Sequence, residues 1–343
     1  MKILLLGAFP PPYGGVQVHM VELRENLRRN GHQPLGINLT RHRKPDGDGI
    51  FYPRTGLGVI WLLCRLQYEV IHLHIGGNLP LRFMGLCLLC SCIPGKRVFL
   101  TFHSGGYSST DEAKAAHPAT SRGFVLRQLD GLIAVNHDIA GVFLRYGASP
   151  DRVHVISPWI PPSTVPDVSI PADLYQFMSK HSPLITTVGL LEPEYDLAFQ
   201  IDAMEQMQER WPQAGLIIVG SGSLEERLRS QVRDKPYADH IRLCGDVPRA
   251  VTLRIIGASD IYLRTTIYDG DALSVREALH LGIPTIATDN GMRPNGVILI
   301  PVSDSEALIQ AIDAAFVSPK PRASNEATQP NNFDAVVDLY QKT

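Results

Sequence analysis

Short, unbroken apolar runs alternate along the chain with longer stretches whose apolar residues recur every three or four positions. Residues 2–7, 70–74, 98–102 and 131–135 are of the first kind, and continuous rather than alternating polarity predicts strands covered on both faces. Residues 16–30, 57–66, 81–92 and 138–146 are of the second kind and predict helices. That βαβα order predicts a parallel sheet with helices on both sides. The pattern stops at 157–166, where Pro158, Pro161, Pro162 and Pro166 remove backbone donors. It resumes with strands at 184–188, 216–220, 241–244, 261–263, 285–287 and 297–300, and helices at 197–211, 224–235, 249–258, 274–281 and 304–316. A polar crossing over 317–332 leads to a last helix at 333–341. The reading is α/β: two doubly wound, Rossmann-like parallel-sheet domains facing an interdomain cleft. The first covers 1–165, with the closing helix (333–343) crossing back to it, and the second covers 166–325.

Composition narrows the partners. A chain of 343 residues with 44% hydrophobic and 19% charged residues has ample core material, which excludes disorder as its main state. The net charge of -2 argues against a general nucleic-acid binder. The total hides a division: residues 1–166 carry 17 Lys and Arg against 10 Asp and Glu, and residues 167–343 carry 15 against 24. Five cysteines do not make a disulfide framework, and Cys87, Cys90 and Cys92 lack a second ligand pair at zinc-like spacing, so they read as small apolar helix residues. The opening apolar run is too short for a signal peptide, and no run reaches the roughly 18 residues of a membrane span. The expected compartment is cytoplasmic, with peripheral contact at the inner face of the membrane as an option.

Three segments could carry chemistry. Gly14-Gly15 falls between the first strand and the first helix, where it offers backbone amides to an anion or simply makes a tight turn. His103 ends a strand and is followed by Ser104-Gly105-Gly106, which aims it at a cleft. His72 and His74 share a strand face, but no third metal ligand is evident, so packing and hydrogen bonding are expected there and no metal site. The strongest segment runs from Asp269 through Gly270, Asp271, Ala272, Leu273 and Ser274 to Glu277, then Ala278, Gly282, Pro284 and Ala287. Two carboxylates flank a helix start near Ser274. That helix end suits a phosphate, while the acids accept bonds from hydroxyls. Phosphate plus polyol describes a sugar nucleotide.

On these residues the chain resembles the retaining glycosyltransferases of family 4, with the GT-B fold, over nearly its whole length. The family's Glu-x7-Glu motif is matched by Asp269 and Glu277, and its Ala-x-x-x-Gly-x-Pro continuation by Ala278, Gly282 and Pro284. Gly14-Gly15, the His103 strand end, Leu132-Ile-Ala-Val-Asn136 before a helix, Gly220-Ser-Gly222 and Gly245-Asp-Val247 fit in order. The resemblance implies that Glu277 accepts hydrogen bonds from the ribose and that Asp269, with the amides near Ala272 and Leu273, holds the donor sugar and phosphates. It implies His103 beside the reacting sugar and Gly15 near the diphosphate. Gly189, Gly222, Val247, Gly270, Asp271 and Ser274 complete the implied donor site, and no metal cofactor is required.

One departure matters. The family places an arginine and a lysine after the first strand of the second domain, whereas Leu190 and Glu194 stand here. Arg264 and Arg293 are the expected substitutes, with Arg276 a lesser candidate, and Arg264 joins His103 and Asp269 as a catalytic candidate. Asp269-Gly-Asp271 resembles the metal-binding DxD of another transferase fold, but its place late in the chain argues against that role. On the acceptor side, the 57–66 and 81–92 helices are unusually apolar and lie in the basic half near Arg41-His-Arg-Lys44 and Lys96-Arg97. They are either buried in the first sheet's faces or offered to an anionic bilayer, with a glycan or lipid-linked acceptor. A sugar-nucleotide epimerase and an inert, sugar-nucleotide-binding homologue are the competing readings.

Overall fold

The computed structural model describes residues 1–10, 14–159, 167–269, 272–291, 293–317 and 332–341. These fall into two compact units, residues 1–160 with 330–343, and residues 161–329. Unit 1 runs β1 (Lys2–Gly7), α1 (Gly15–Arg29), β2 (Gln33–Asn38), β3 (Ile50–Phe51), α2 (Gly56–Arg65), β4 (Val70–Ile75), α3 (Leu81–Ser91), β5 (Arg97–Phe102), α4 (Asp111–Lys114), α5 (Ser121–Leu126), β6 (Gly131–Ala134), α6 (His137–Arg145) and β7 (Val153–Val155). Its seven strands, all paired in parallel, are ordered β3-β2-β1-β4-β5-β6-β7.

Unit 2 runs α7 (Ala172–Lys180), β8 (Leu184–Val188), α8 (Leu197–Arg210), β9 (Gly215–Val219), α9 (Glu225–Arg233), β10 (Ile241–Gly245), α10 (Arg249–Ala258), β11 (Ile261–Arg264), α11 (Leu273–His280), β12 (Thr285–Thr288), β13 (Val297–Ile300) and α12 (Ser305–Val317). Its six parallel strands are ordered β10-β9-β8-β11-β12-β13. The central strands of both units are buried over nearly their full length, as unbroken apolar runs require when helices cover both faces.

The last helix, α13 (Asn332–Gln341), belongs to unit 1. Phe333, Val336, Val337 and Tyr340 recur at helical spacing and pack with Ile3, Leu5, Leu23 and Leu27. Each such buried side chain contributes roughly 1.5–3 kcal/mol. Asn332 anchors the start by donating to the Trp159 carbonyl at 3.0 Å.

Several elements carry no clear periodic signal. β2 contains Pro34 and Gly36, yet Gly36 is required: a Cβ there would come within 2.7 Å of the Phe9 ring. β3, β7, α4 and α5 are too short to show a period, and α7 directly follows the proline-rich stretch. α2 and α3 are only half-buried. α2 buries Leu62 and Leu63 but leaves Leu57, Ile60 and Trp61 exposed, and α3 leaves Leu81 and Leu89 exposed. Cys87 and Cys90 lie in the apolar core, and burial pushes the Cys90 thiol up to about 12, so both pack as neutral thiols. No helix among the described residues is long and apolar enough to cross a membrane.

Candidate functional site

In a parallel sheet of either order, the winding reverses between two central strands, and ligands bind outside their carboxyl ends. In unit 1 that point lies between β1 and β4; in unit 2 it lies between β8 and β11.

Arg264 ends β11 and its side chain crosses the reversal point of unit 2. Its Nη1 donates to the Val188 carbonyl at the end of β8 (2.7 Å), its Nε and Nη2 reach Asp269 Oδ2 at 2.9 and 2.8 Å, and its guanidinium lies 4.5 Å from the Tyr195 ring centroid. Arg293 approaches the same Oδ2 with Nη1 at 3.0 Å, and its other nitrogens donate to Thr266 Oγ1 (2.7 Å) and the Thr288 carbonyl (3.0 Å). The three side chains are 6%, 2% and 14% exposed for Arg264, Arg293 and Asp269. Burial alone would push the Asp269 carboxyl up, but the two guanidinium groups outweigh it and hold the carboxyl below its ordinary value. Two buried cations thus face one carboxylate among the described residues. Such a cluster favours a further anion, because removing charge from water is repaid only by close opposite charge.

The helix that follows the same turn supplies the second acid. Glu277 lies in α11, 5% exposed, and Arg249 at the start of α10 places Nε and Nη2 each 2.9 Å from Glu277 Oε1. Tyr262 Oη donates to Ser274 Oγ (2.6 Å), tying the first turn of α11 to β11. Gly282 closes this helix in the left-handed region (φ 71°), and Ile283 N donates back to the Ala278 carbonyl at 2.9 Å. The first turn of α11, at Leu273 and Ser274, presents the backbone N–H groups that any helix start leaves without intrahelical partners. Gly270 and Asp271 lie outside the described residues.

The glycines of unit 2 have a packing explanation. A Cβ on Gly220 would sit 1.9 Å from the Gly189 carbonyl, and one on Gly222 would sit 2.6 Å from the Leu191 backbone. A Cβ on Gly189 would strike the Tyr195 ring at 2.3 Å and lie 3.0 Å from Arg264 Nη1. The 189–191 and 220–222 loops therefore meet backbone to backbone, and the Arg264 guanidinium lies against the segment that lacks the family arginine. Leu190 is 37% exposed, and the Glu194 backbone carbonyl accepts from Ile267 N at 2.8 Å. Val247 is half-buried against Ile255 and its neighbours.

Unit 1 corrects one expectation. His72 and His74 do have further imidazoles beside them: His19 from α1 and His103 at the end of β5. Ring nitrogens of His19, His74 and His103 all lie within 4.8 Å of one another. His74 Nδ1 and His103 Nε2 are 3.2 Å apart, His19 Nδ1 meets the Pro158 carbonyl at 2.8 Å, and His74 Nε2 has no partner. His72 bonds Thr101 Oγ1 at 2.7 Å and also Tyr340 Oη. Burial lowers His19 to about 4 and the other three well below the ordinary histidine value, so all four are neutral imidazoles. Neutral imidazoles are the form that either hydrogen-bonds a hydroxyl or ligates a metal. Gly14 caps α1 without a side chain, and a Cβ on Gly15 would meet no described atom within 4 Å.

The sequence points to Arg264, Asp269, Arg293 and Glu277 in the unit 2 site but not to Arg249, Tyr195 and Thr266, nor to His19 beside the unit 1 histidines. Arg249 follows Gly245-Asp-Val247 closely, which was the available signal. The others are brought in by packing alone.

The two parallel-sheet units have the fold of a GT-B glycosyltransferase. Residues 13–164 match the pattern of Glycosyltransferase Family 4, and residues 176–329 match that of Glycosyl transferases group 1. The chain belongs to this glycosyltransferase family. It is 26% identical over 337 residues to phosphatidyl-myo-inositol mannosyltransferase of Mycobacterium leprae, covering 88% of this chain and 83% of that one. It is 22% identical over 347 residues to a phosphatidylinositol N-acetylglucosaminyltransferase chain of Arabidopsis thaliana, covering 92% of this chain and 74% of that one. Its fold resembles that of Anabaena HepE in complex with UDP and glucose, with TM-score 0.70, 16% identity, and 99% and 97% of the two chains covered.

Proposed function

We propose that this transferase moves a sugar, with retention of anomeric configuration, from a nucleoside-diphosphate sugar to a hydroxyl of a glycan or lipid-linked acceptor. The observation that carries this is the Arg264–Asp269–Arg293 cluster at the β8/β11 reversal point, beside the α11 start. Asp269 accepts hydrogen bonds from the donor sugar, and the two arginines keep it ionised. Their excess positive charge, with the α11 amides, meets the charge that develops on the departing diphosphate. Glu277, oriented by Arg249, accepts from the ribose hydroxyls. His103 stays neutral and hydrogen-bonds the reacting sugar. Arg264 fills the electrostatic place left by Leu190 and Glu194, and the guanidinium groups make a metal unnecessary.

Two variants and a product analysis test the reading. Glu277→Ala should weaken UDP or GDP binding by about tenfold, the loss of one charge-assisted hydrogen-bond set. Arg264→Ala should lower turnover by a hundredfold or so, as for removal of one group that stabilises transition-state charge. Proton NMR of the first product should show the anomeric configuration of the donor. An inverted product removes the retaining mechanism, and nucleotide binding without hydrolysis or transfer supports an inert homologue, which Leu190 at the arginine position favours.

A further inference from the structure

Unit 1 holds a cavity of about 840 Å³ at the carboxyl ends of β1 and β4, reached by Gly7 and Ala8 from one strand and His74 and Ile75 from the other. Sites for small ligands fall in the range of roughly 300–1,000 Å³. Four arginines line it: Arg41, Arg43, Arg54 and Arg82. Among the described residues, no aspartate or glutamate lines it. Elsewhere in the unit arginines are neutralised, as Arg24 and Arg28 are by Asp48. Among the described residues none of the four cavity arginines pairs with a carboxylate; the one side-chain bond they make is from Arg43 to the Arg54 carbonyl, at 3.2 Å. The helices α2 and α3 both begin at the rim, through Thr55-Gly56 and Pro80, and neither has an acid in its first turn. Two helix N-termini and four guanidinium groups converge on one acid-free space. Guanidinium groups match phosphate oxygens in bidentate fashion, and helix starts add a field of the same sign.

An inorganic anion would need no more than that. The cavity continues, however, over Ile60, Phe83, Leu86 and Leu89, and Leu57 and Trp61 stand exposed beside it at 78% and 56%. A free glycan would ask for carboxylates and amides that bond hydroxyls, and the acid-free lining offers few. From this charge and apolar complementarity we infer that the cavity seats a lipid-linked acceptor: its phosphate or diphosphate among Arg41, Arg43, Arg54 and Arg82, and the first part of its hydrocarbon chain along α2 and α3. The inference rests on the glycosyl-transfer reading and narrows its acceptor class.

Titration calorimetry on the full chain tests it, with farnesyl diphosphate as the amphiphilic probe and inorganic pyrophosphate as the bare anion. Farnesyl diphosphate should bind at least about tenfold more tightly than pyrophosphate, and the Arg54→Gln/Arg82→Gln double variant should weaken it by tenfold or more. UDP binding and the melting temperature of the same variant report whether it is folded. The two readings separate, because UDP reads the donor site and farnesyl diphosphate the cavity. Equal affinity for the two phosphate probes, or an undiminished affinity in the folded double variant, overturns the inference. So does competition by phosphatidylglycerol vesicles at matched phosphate concentration, which would assign the arginines to membrane headgroups in general.

Discussion

The two sheets reverse their winding at equivalent points, but the buried titratable groups at those points differ in charge. At the β1/β4 point the strand ends carry His74 and, from the neighbouring β5, His103, which burial strips of charge. At the β8/β11 point Arg264 and Asp269 stay charged although they are as deeply placed, because each is the other's partner. Burial is common to both; pairing is not. A titratable side chain that gains no counter-charge relinquishes its own, and one that gains a counter-charge keeps it. The topology thus fixes where a site lies, and the local partners decide whether its buried groups are neutral or charged.

Lowering the pH should separate the two units most. For the four histidines the folded value lies below the unfolded value of about 6.5, so at pH 7 neither state is protonated and they cost nothing. Below about pH 6.5 the unfolded chain takes up protons that the folded unit cannot, and stability falls with pH. For His19, lowered to about 4, this amounts to roughly 2–3 kcal/mol by about pH 4.5. His72, His74 and His103 act in the same direction. Asp269 acts with the same sign but in a lower window: its folded value is below the ordinary 3.8, so its contribution is intact until the pH falls below that value. Amide exchange at about pH 7 and 5 should show protection lost in β1, β4 and β5 and kept in β8 and β11. Protection kept equally in both units at the two pH values would mean that the imidazoles take up protons in the folded unit as readily as in the unfolded chain.

A comparable effect should be reached in unit 2 by removing the acid that Arg264 and Arg293 share. Asp269→Asn leaves Arg264 and Arg293 buried without their shared carboxylate, which costs about 3–5 kcal/mol in buried pairs of this kind. Adding Arg293→Gln to that variant should recover part of the loss, since one unpaired cation is then gone. Urea denaturation followed by a probe in unit 2 measures both. A cost for Asp269→Asn below about 1 kcal/mol, the level of an exposed pair, would show that solvent rather than the carboxylate neutralises the arginines.

These residues also show what a sequence discloses. The buried strands were legible because an unbroken apolar run has few alternatives in a chain punctuated by amphipathic helices. β2 was not, since Pro34 and Gly36 interrupt its apolar run and Gly36 serves the Phe9 contact rather than strand propensity. Asp269, Glu277 and the Gly282 helix end were legible because they lie on one turn–helix–turn segment, where spacing carries position. Arg264 and Arg293 could be proposed as cations near that segment, but not that both would close on one carboxylate oxygen. Arg54 and Arg82, far apart in the chain, meet Arg41 and Arg43 only because α2 and α3 start at the same sheet edge. His19 was invisible for the same reason: fifty-odd residues separate it from His74, and only the α1–β4 packing brings them together.

The smallest expected effect concerns the imidazole group itself. His19, His74 and His103 are close enough to invite a metal, but the 3.2 Å contact between His74 Nδ1 and His103 Nε2 is also that of one ring donating to the other, which occupies a lone pair a metal would need. In the proposed function, the guanidinium groups of Arg264 and Arg293, both paired with Asp269, and the α11 start meet the charge on the leaving diphosphate. Dialysis against a chelator should therefore leave the transfer rate within about twofold, the size of an effect on fewer than one in two molecules. The rate and the metal content by plasma emission are to be read on the same sample. A loss of tenfold or more, reversed by zinc and absent in His19→Gln, would place an ion among the three imidazoles and give the buried groups of unit 1 a charge of their own.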